Sequence, residues 1–192
     1  MLDSRAMTDP TAPAAPPMPA WLPCAQLPAT LPAWQRDWLL DEGSLTRRLT
    51  DAAAGAFAVR RQAEGWQALR ADECAALALP EGTQGWVREV LLCGRDQPWV
   101  FARSVAARDA LEAAGFTLDT LGERSLGELL FQDRAFVRGP LELCRYPAAW
   151  LPGPVREAGL WARRSCFRRD GLPLLVAEVF LPTLWRATGA LR

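Results

Sequence analysis

Two apolar runs, residues 86–93 and 174–181, predict buried β-strands, and each carries a charge on an otherwise apolar face. Side chains alternate between the two faces of a strand, which places Arg88 and Glu178 among large hydrophobic neighbours. These neighbours are Trp86, Val90 and Leu92 around Arg88, and Leu174, Val176 and Phe180 around Glu178. Burying a guanidinium or a carboxylate is costly unless a partner compensates for the lost water. We therefore expect the two charges to pair with each other or with other protein groups, or to face a cavity that binds a small anionic molecule.

Size and charge favour a single domain without a nucleic-acid or membrane partner. The chain has 192 residues, of which 50% are hydrophobic, and nine are Trp, enough for a substantial core. The 22 basic residues balance the 22 acidic ones, so the net charge gives no reason to expect nucleic acid or an anionic membrane. No run approaches the ~18 apolar residues of a membrane span, and the N-terminus lacks the apolar core of a signal peptide. We expect a cytoplasmic protein that is not membrane-embedded.

The absence of two residue types removes several kinds of chemistry. The chain contains neither Lys nor His, which excludes a Schiff base, Ser–His and Cys–His nucleophiles, and an imidazole metal site. Its five cysteines are odd in number and form no C-x-x-C pair, so we interpret them as buried thiols in a reducing compartment. The cysteines are Cys24, Cys74, Cys93, Cys144 and Cys166. We expect no metal site.

The pattern along the chain predicts an α+β domain after a flexible tail. Residues 1–20 are rich in Pro and Ala and predict the tail, and residues 21–192 form the domain. Six strands are predicted, at 57–62, 86–93, 99–105, 136–146, 161–169 and 173–181. Short links at 94–96 and 170–171 indicate antiparallel hairpins. Helices are predicted at 33–40, after Ser44, at 106–114 and after Ser125, and we expect them to cover one face of the sheet. Residues 147–160 predict an exposed loop insertion.

Two predicted helix starts resemble each other. In both, a Ser in the N-cap position is followed by Leu, giving Ser44–Leu45 and Ser125–Leu126. The first backbone N–H groups of a helix have no intrahelical acceptor, so two such ends that converge would form an anion site. The alternative is two ordinary capped helices whose Leu side chains lie in the core.

Several ordered stretches of the chain together resemble the chorismate pyruvate-lyase family. The resemblance spans about residue 33 to residue 182. Its clearest stretches are WLLDEGSLT at 38–46, WVREVLLC at 86–93, PW at 98–99, SLGELLF at 125–131, AGLWARRS at 158–165 and EVFLP at 178–182. The chain differs from the family pattern in its tail, in the insertion at 147–160 and in an extension at 183–192.

The resemblance implies a fold and a ligand site. The expected fold is a single six-stranded antiparallel sheet with helical flaps that close over an internal pocket. In the family, a strand Arg and two flap amides hold the ligand carboxylate, and a strand Glu lies at the other end of the ring. The matching positions are Arg88, the amides of Leu45 and Leu126, and Glu178, with Arg88 and Glu178 as the catalytic residues. Leu45 stands where we would expect Met, a harmless change if only its N–H is used.

The implied activity is the elimination of pyruvate from chorismate to give 4-hydroxybenzoate for ubiquinone biosynthesis, without a cofactor. We expect a monomer that retains its product until a membrane prenyltransferase collects it. One alternative is a non-catalytic binding or sensor domain of the same fold for small aromatic acids, although regulators of that kind carry a winged-helix domain ahead of the sensor. Another alternative is that Arg88 and Glu178 form a buried ion pair that binds no ligand. Glu89 and Glu142 are other possible partners of Arg88.

A second carboxylate of the ligand has two further candidates in the sequence. Arg163 and Arg164 could each hold the carboxylate of the pyruvyl group. They are consecutive residues of a predicted strand and must point to opposite faces, so at most one of them faces the pocket.

Overall fold

An antiparallel β-sheet organises the computed structural model, which describes residues 18–28, 30–115, 126 and 136–189. Its strands are β1 (Leu22–Pro23), β2 (Phe57–Ala68), β3 (Gln84–Gly94), β4 (Gln97–Ala107), β5 (Val137–Arg138), β6 (Glu142–Arg145), β7 (Trp161–Arg169) and β8 (Leu172–Phe180). The helices around it are α1 (Ala33–Leu39), α2 (Leu45–Ala53), α3 (Ala71–Leu77), α4 (Arg108–Ala113) and α5 (Pro182–Ala187). Short 3₁₀ helices lie at Cys24–Gln26, Ala148–Trp150 and Gly153–Val155.

The strand order is β1-β6-β7-β8-β4-β3-β2, and β5 pairs separately with β7. Two tight hairpins connect the central strands, as the sequence predicts. Arg95 and Asp96 have φ of 50° and 61°, and Asp170 and Gly171 have φ of 47° and 82°. Positive φ at both central residues is typical of the type I′ turn, whose twist matches that of the strands it joins.

The predicted count of six strands is wrong, because the described residues form eight. Residues 136–146 are not one strand, because Gly139 and Pro140 separate β5 from β6, and each of these two strands pairs with β7. Proline has no N–H to donate to a strand ladder, which explains the break. The other additional strand, β1, has only two residues and pairs with β6. The prediction for β2 was too short, because its pairing with β3 continues to Ala68.

Helices cover both faces of the sheet, so the prediction of helices on a single face is also wrong. On one face, which we call the first face, α1, α2 and α5 pack around Val90 and Leu92. On the opposite face, α3 packs against Val87, Val105 and Leu175. The apolar side chains of β3 and β8 at both odd and even positions are explained by this double covering.

Residues 147–160 belong to the covering of the opposite face and are not simply an exposed loop. Leu151 is 2% exposed and packs with Leu160 against Phe101 and Val179. The helix predicted at 106–114 begins two residues later, since β4 continues to Ala107. The sequence pattern did not predict α3 or α5. Within the described ranges, no helix combines the length and the apolar character needed to cross a bilayer.

Candidate active site

A band of polar side chains crosses the first face between two apolar clusters. The first cluster contains Leu45 and Leu49 of α2, and the second contains Leu126 and Leu111. The polar band consists of Glu64, Arg88, Ser104, Arg138, Arg163, Ser165 and Glu178. Strand register creates it, because cross-strand partners lie on the same face. One row runs through Arg88, Ser104, Val176 and Ser165, and the next row contains Ala102, Glu178 and Arg163.

Arg88 is 2% exposed and forms an ion pair with its cross-strand neighbour on β2. Its Nη1 donates to Oε2 of Glu64 over 3.1 Å. Burial lowers the pKa of Arg88 below its usual value, and the positive charge of Arg61 lowers it further, while Glu64 opposes the shift.

Glu178 pairs with Arg163 of the neighbouring strand β7. The Arg163 side chain also binds carbonyl oxygens at the end of α1 and in the segment before α2. Oε2 of Glu178 accepts a hydrogen bond of 2.6 Å from Nε of Arg163, which is 1% exposed. Nη1 of Arg163 donates to the carbonyl oxygens of Trp38, at 3.1 Å, and Asp41, at 2.6 Å. One buried guanidinium thus joins the Glu178 carboxylate to the chain that leads into α2.

Within the described residues, Arg88 and Glu178 pair with Glu64 and Arg163 rather than with each other. Their Cα atoms are two strand spacings and two residues apart, about 12 Å. The side chains lie on one face, as alternation predicts. Of the alternatives for the two charges, pairing with other protein groups is therefore what the structure shows.

Glu89 and Glu142 do not pair with Arg88, because both contribute to ion pairs of the opposite face. Glu89 accepts from Arg103 over 2.8 Å, and Glu142 accepts from Arg164 over 2.7 Å. Arg164 also lies 3.5 Å from a carboxylate oxygen of Asp72. The expectation that Arg163 and Arg164 point to opposite faces is confirmed, and Arg163 is the one that shares a face with Arg88 and Glu178.

The predicted helix start at Leu45 is confirmed. Helix α2 begins there, and Oγ of Ser44 accepts from the backbone N–H of Arg47 over 3.3 Å. A turn precedes the cap, in which Gly43 N donates to a carboxylate oxygen of Asp41 over 2.8 Å. The Leu45 side chain is 3% exposed and belongs to the first apolar cluster, beside the polar band.

Leu126 is helical and lies on the other side of the polar band. It is buried in the second apolar cluster with Trp86, Phe136 and Phe167. Ser125 and the rest of the second predicted helix start lie outside the described residues. The structure thus brings the clusters of Leu45 and Leu126 to opposite sides of a face that carries Arg88 and Glu178.

Sequence reasoning missed Arg138, which reaches the polar band from β5. Its Nε donates to Oγ of Ser165 over 3.0 Å, and its Nη1 donates to the carbonyl oxygen of Glu42 over 2.8 Å. Burial lowers the pKa of Arg138, and the nearby cation of Arg163 lowers it further, against the opposing effect of Glu178 and other carboxylates. Because β5 has only two residues, no alternation could assign Arg138 to a face. Glu64, Ser104 and Ser165 were also missed, since only strand register places them beside Arg88 and Arg138.

Three of the cysteines lie where a thiol is disfavoured as a nucleophile. Burial raises the pKa of Cys93, Cys144 and Cys166 above the usual value for a thiol, which disfavours the reactive thiolate. All five cysteines are free thiols. In the part of the chain that the structure describes, Cys, Asp and Glu form no group of three or more that could hold a metal ion.

Comparison with known proteins decides the family. A family model described as "Chorismate lyase" matches residues 16–190. The chain belongs to the chorismate lyase family. The family resemblance predicted from the sequence is thereby confirmed.

Relatives of this chorismate lyase family member are similar over nearly their whole length. It is 65% identical over 168 residues, 88% of this chain and 91% of the relative, to the "Probable chorismate pyruvate-lyase 2" of Pseudomonas entomophila (strain L48). It is 64% identical over 169 residues, 88% of this chain and 94% of the relative, to the "Probable chorismate pyruvate-lyase" of Pseudomonas aeruginosa (strain UCBPP-PA14).

The same fold is found in a solved structure with little sequence identity to this chain. The effector domain of PhnF from Mycobacterium smegmatis superposes with a TM-score of 0.51 at 14% identity, covering 75% of this chain and 91% of that domain. At this level of identity the likeness shows the fold alone.

Proposed function

We propose that this chorismate lyase family member eliminates pyruvate from chorismate to give 4-hydroxybenzoate. The observation that carries the proposal is its identity of 65% over 88% of the chain to a relative named as a probable chorismate pyruvate-lyase. The polar band supports it, because two arginines with lowered pKa values lie on the face that carries Glu178. Cationic guanidinium groups on one face suit an anionic substrate.

The reaction places modest demands on the protein. The ether C–O bond between a ring carbon and the enolpyruvyl group breaks, and the adjacent ring carbon that bears the hydroxyl loses a proton. The ring becomes aromatic, and the methylene of the departing enolpyruvyl group takes up a proton to form pyruvate. Aromatisation drives the reaction, so orientation of the substrate and placement of charge are the main requirements. A site without His or Lys can meet them.

Each of the four predicted site residues has a role in this proposal. Arg88 binds the ring carboxylate, and the backbone N–H groups of Leu45 and Leu126 complete that contact when the two helical flaps that carry them, here called lobes, close. Glu178 orients the hydroxyl end of the ring, and its ion pair with Arg163 fixes the position of its carboxylate. Two polar contacts at opposite ends of a ring fix its orientation, which is the main source of rate enhancement in such a site.

The proposed chemistry needs no metal and no organic cofactor. We expect turnover to survive a strong chelator, and to survive replacement of the five cysteines by Ala or Ser in a protein that still folds. A loss of turnover on chelation that one added metal restores would contradict this part of the proposal.

The proposed cellular role is the supply of 4-hydroxybenzoate for ubiquinone biosynthesis by a cytoplasmic monomer. An aromatic acid enclosed by two lobes leaves only when a lobe opens, so we propose that product release is slow relative to the chemical step. A membrane prenyltransferase that consumes 4-hydroxybenzoate would then collect the retained product.

Rapid mixing of the purified protein with chorismate tests the activity and the slow release together. We expect a burst of pyruvate equal to the protein concentration, followed by a slower steady state that added 4-hydroxybenzoate inhibits. Chorismate incubated without protein corrects for spontaneous decay. If 4-hydroxybenzoate binds and no pyruvate appears, the protein is a binding domain and not a lyase. If pyruvate appears without a burst or inhibition, the lyase proposal stands and the slow-release proposal fails.

A further inference from the structure

One buried guanidinium of the first face holds two parts of the candidate site at once. Arg163 is 1% exposed, and it lies directly across from Glu178 in the pairing of β7 with β8. Its Nε donates to Oε2 of Glu178 over 2.6 Å, and its Nη1 donates to the carbonyl oxygens of Trp38, at 3.1 Å, and Asp41, at 2.6 Å. The centre of the Phe180 ring lies 5.5 Å from the guanidinium carbon, so the group is packed on a third side. A strand carboxylate and the chain before α2 are therefore attached to one rigid group.

The guanidinium can transmit position because it is planar and its N–H groups point in fixed directions. A shift of the segment before α2 that displaces Nη1 also displaces Nε, and with it the carboxylate of Glu178. A large gain in stability is not the main effect of a buried ion pair, since burial removes water from both charges. The specific effect of the Arg163 contacts is to fix one arrangement of the groups that they join.

The contact of Arg163 with Asp41 extends to the lobe that carries Leu45. The Asp41 carboxylate accepts from the backbone N–H of Gly43 over 2.8 Å and from Nη1 of Arg48, on α2, over 2.9 Å. Partial burial opposes the charge of Asp41, but the Gly43 N–H and the Arg48 guanidinium outweigh it and lower the pKa of Asp41. A continuous series of polar contacts thus connects the strand carboxylate to the first turns of α2.

We propose that Arg163 is a positioning residue that couples the orientation of Glu178 to the closed position of the lobe that carries Leu45. This inference rests on the proposed function, in which Glu178 orients the hydroxyl end of the ring and the Leu45 amide completes the carboxylate contact. When the lobe opens, the carbonyl oxygen of Asp41 moves away from Nη1 of Arg163, and the Glu178 carboxylate loses its fixed position. The site is then arranged for chemistry only while the lobe is closed, so one side chain links turnover to product retention.

Arg163→Lys tests the coupling through two rate constants. An ammonium group retains the charge but lacks the directed edges of a guanidinium, so it cannot hold Glu178 and both carbonyl oxygens together. With protein in excess over chorismate, we expect the rate constant for pyruvate formation in a single turnover to fall roughly 10- to 100-fold, the effect of a slightly misplaced catalytic group. The rate constant for dissociation of 4-hydroxybenzoate should rise about fivefold or more.

Arg164→Lys is the matched control, because Arg164 is the next residue of β7, is also buried and forms its ion pairs on the opposite face. It should leave both rate constants unchanged. A purely structural role for Arg163 would lower the amount of active protein without changing the single-turnover rate constant, so an unchanged constant in Arg163→Lys would overturn the proposal. Slower pyruvate formation with unchanged product dissociation would assign Arg163 to Glu178 alone and would overturn the coupling.

Hydrogen exchange measures the coupling from its other end and without any activity. The amides of Arg47 and Arg48 bond to Oγ and to the carbonyl oxygen of Ser44 in the first turn of α2. Glu178→Gln removes the charged partner of Arg163 on β8, so the guanidinium is held less firmly. We expect exchange of these two amides to become about fivefold faster or more in Glu178→Gln.

Glu142→Gln is the control for the exchange measurement, because it removes the carboxylate that binds Nε of Arg164 over 2.7 Å on the opposite face. It should leave exchange at the start of α2 unchanged. Unchanged exchange in Glu178→Gln would overturn the proposal, and this measurement also decides the question if Arg163→Lys folds poorly. If the unmodified protein releases no pyruvate from chorismate, the proposed function fails, whereas exchange at the start of α2 still shows whether the two parts are coupled.

Discussion

Two adjacent positions on β3 show that buried charges have different partners on the two faces of the sheet. Arg88 faces Ser104 across the strand pair, and Glu89, the next residue, faces Arg103. On the opposite face, Arg103 binds both carboxylate oxygens of Glu73, at 2.6 and 3.1 Å, and one oxygen of Glu89, at 2.8 Å. On the first face, Arg88 binds one oxygen of Glu64 at 3.1 Å, and the row beyond it continues through Ser104, Val176 and Ser165.

The pKa directions of the arginines follow this difference. Burial opposes the charge of Arg103, but the hydrogen bonds and charges of Glu73 and Glu89 outweigh it and raise the pKa of Arg103. The pKa values of Arg88 and Arg138 are lowered, because burial outweighs the carboxylates near them. The two carboxylates that hold Arg103 stabilise its charge more than the described neighbours of Arg88 and Arg138 stabilise theirs.

The largest expected effect is on stability, from the opposite face. Arg103→Met leaves Glu73 and Glu89 without their shared cation and should lower the free energy of unfolding by about 3–5 kcal/mol. Arg88→Met should cost less, because the carboxylate of Glu64 is 15% exposed and regains water more easily. Urea denaturation of both variants measures the difference. Equal losses of unfolding free energy in the two variants would show that a buried arginine contributes the same stability on both faces.

Arg88→Lys should change binding more than stability. Lys cannot make the bidentate contact of a guanidinium with a carboxylate, so we expect the Kd for 4-hydroxybenzoate to rise about 10- to 100-fold. Turnover should fall as well. Arg103→Lys is the matched control on the opposite face and should affect mainly the urea midpoint. An Arg88→Lys protein with unchanged affinity would contradict the assignment of Arg88 to the ring carboxylate.

Alkaline pH should lower the free energy of unfolding through Tyr146, the only tyrosine in the chain, which packs on the opposite face. Burial raises the pKa of Tyr146 from 10.0 to about 12, although its hydroxyl accepts a hydrogen bond of 2.7 Å from Arg70. The unfolded chain ionises first, so the stabilisation is complete below pH 10 and is lost as the pH rises towards 12. We expect a loss of about 1.4 kcal/mol by about pH 11 from this group.

Urea denaturation between neutral pH and about pH 11 measures this loss, and Tyr146→Phe identifies its source. The variant should be less stable at neutral pH, because the Arg70 contact is missing, but its stability should fall less steeply with pH. Burial also raises the pKa of Cys144 and Cys166, so part of the alkaline loss remains in the variant. Equal slopes for the two proteins would contradict the role of Tyr146.

The smallest expected effect concerns the lobe on the first face. Ser44→Ala removes the N-cap of α2 and should cost about 1 kcal/mol of helix stability. A looser lobe should release 4-hydroxybenzoate faster, so we expect weaker product inhibition and unchanged or faster steady-state turnover. Thr50→Ala on the exposed side of the same helix is the control, because its hydroxyl bonds only within the helix. Slower turnover with stronger inhibition in Ser44→Ala would contradict slow release through this lobe.

The sequence predicted the central strands and the orientation of their side chains well. The runs that became β3, β4, β7 and β8 have strong apolar alternation and short turns, which are local signals. Alternation also separated Arg163 from Arg164 correctly, and the Ser44–Leu45 pattern predicted the start of α2. Short or interrupted elements gave no such signal: β1 has two residues, and β5 is separated from β6 by Gly139 and Pro140. The four site residues themselves remain a prediction that ligand binding must test.

The sequence by itself determined the antiparallel α+β class, the family, the burial of Arg88 and the partial burial of Glu178. Those properties depend on residue type and on spacing along one strand. Only the tertiary structure decided which charges meet, because strand register and the order β7-β8-β4-β3-β2 bring together residues far apart in the chain. The pairs of Arg88 with Glu64 and of Glu178 with Arg163, and the position of Arg138 beside Ser165, all arise in this way. The energy of a buried charge depends on the groups within a few ångströms of it, and the sequence does not specify these until the strands pair.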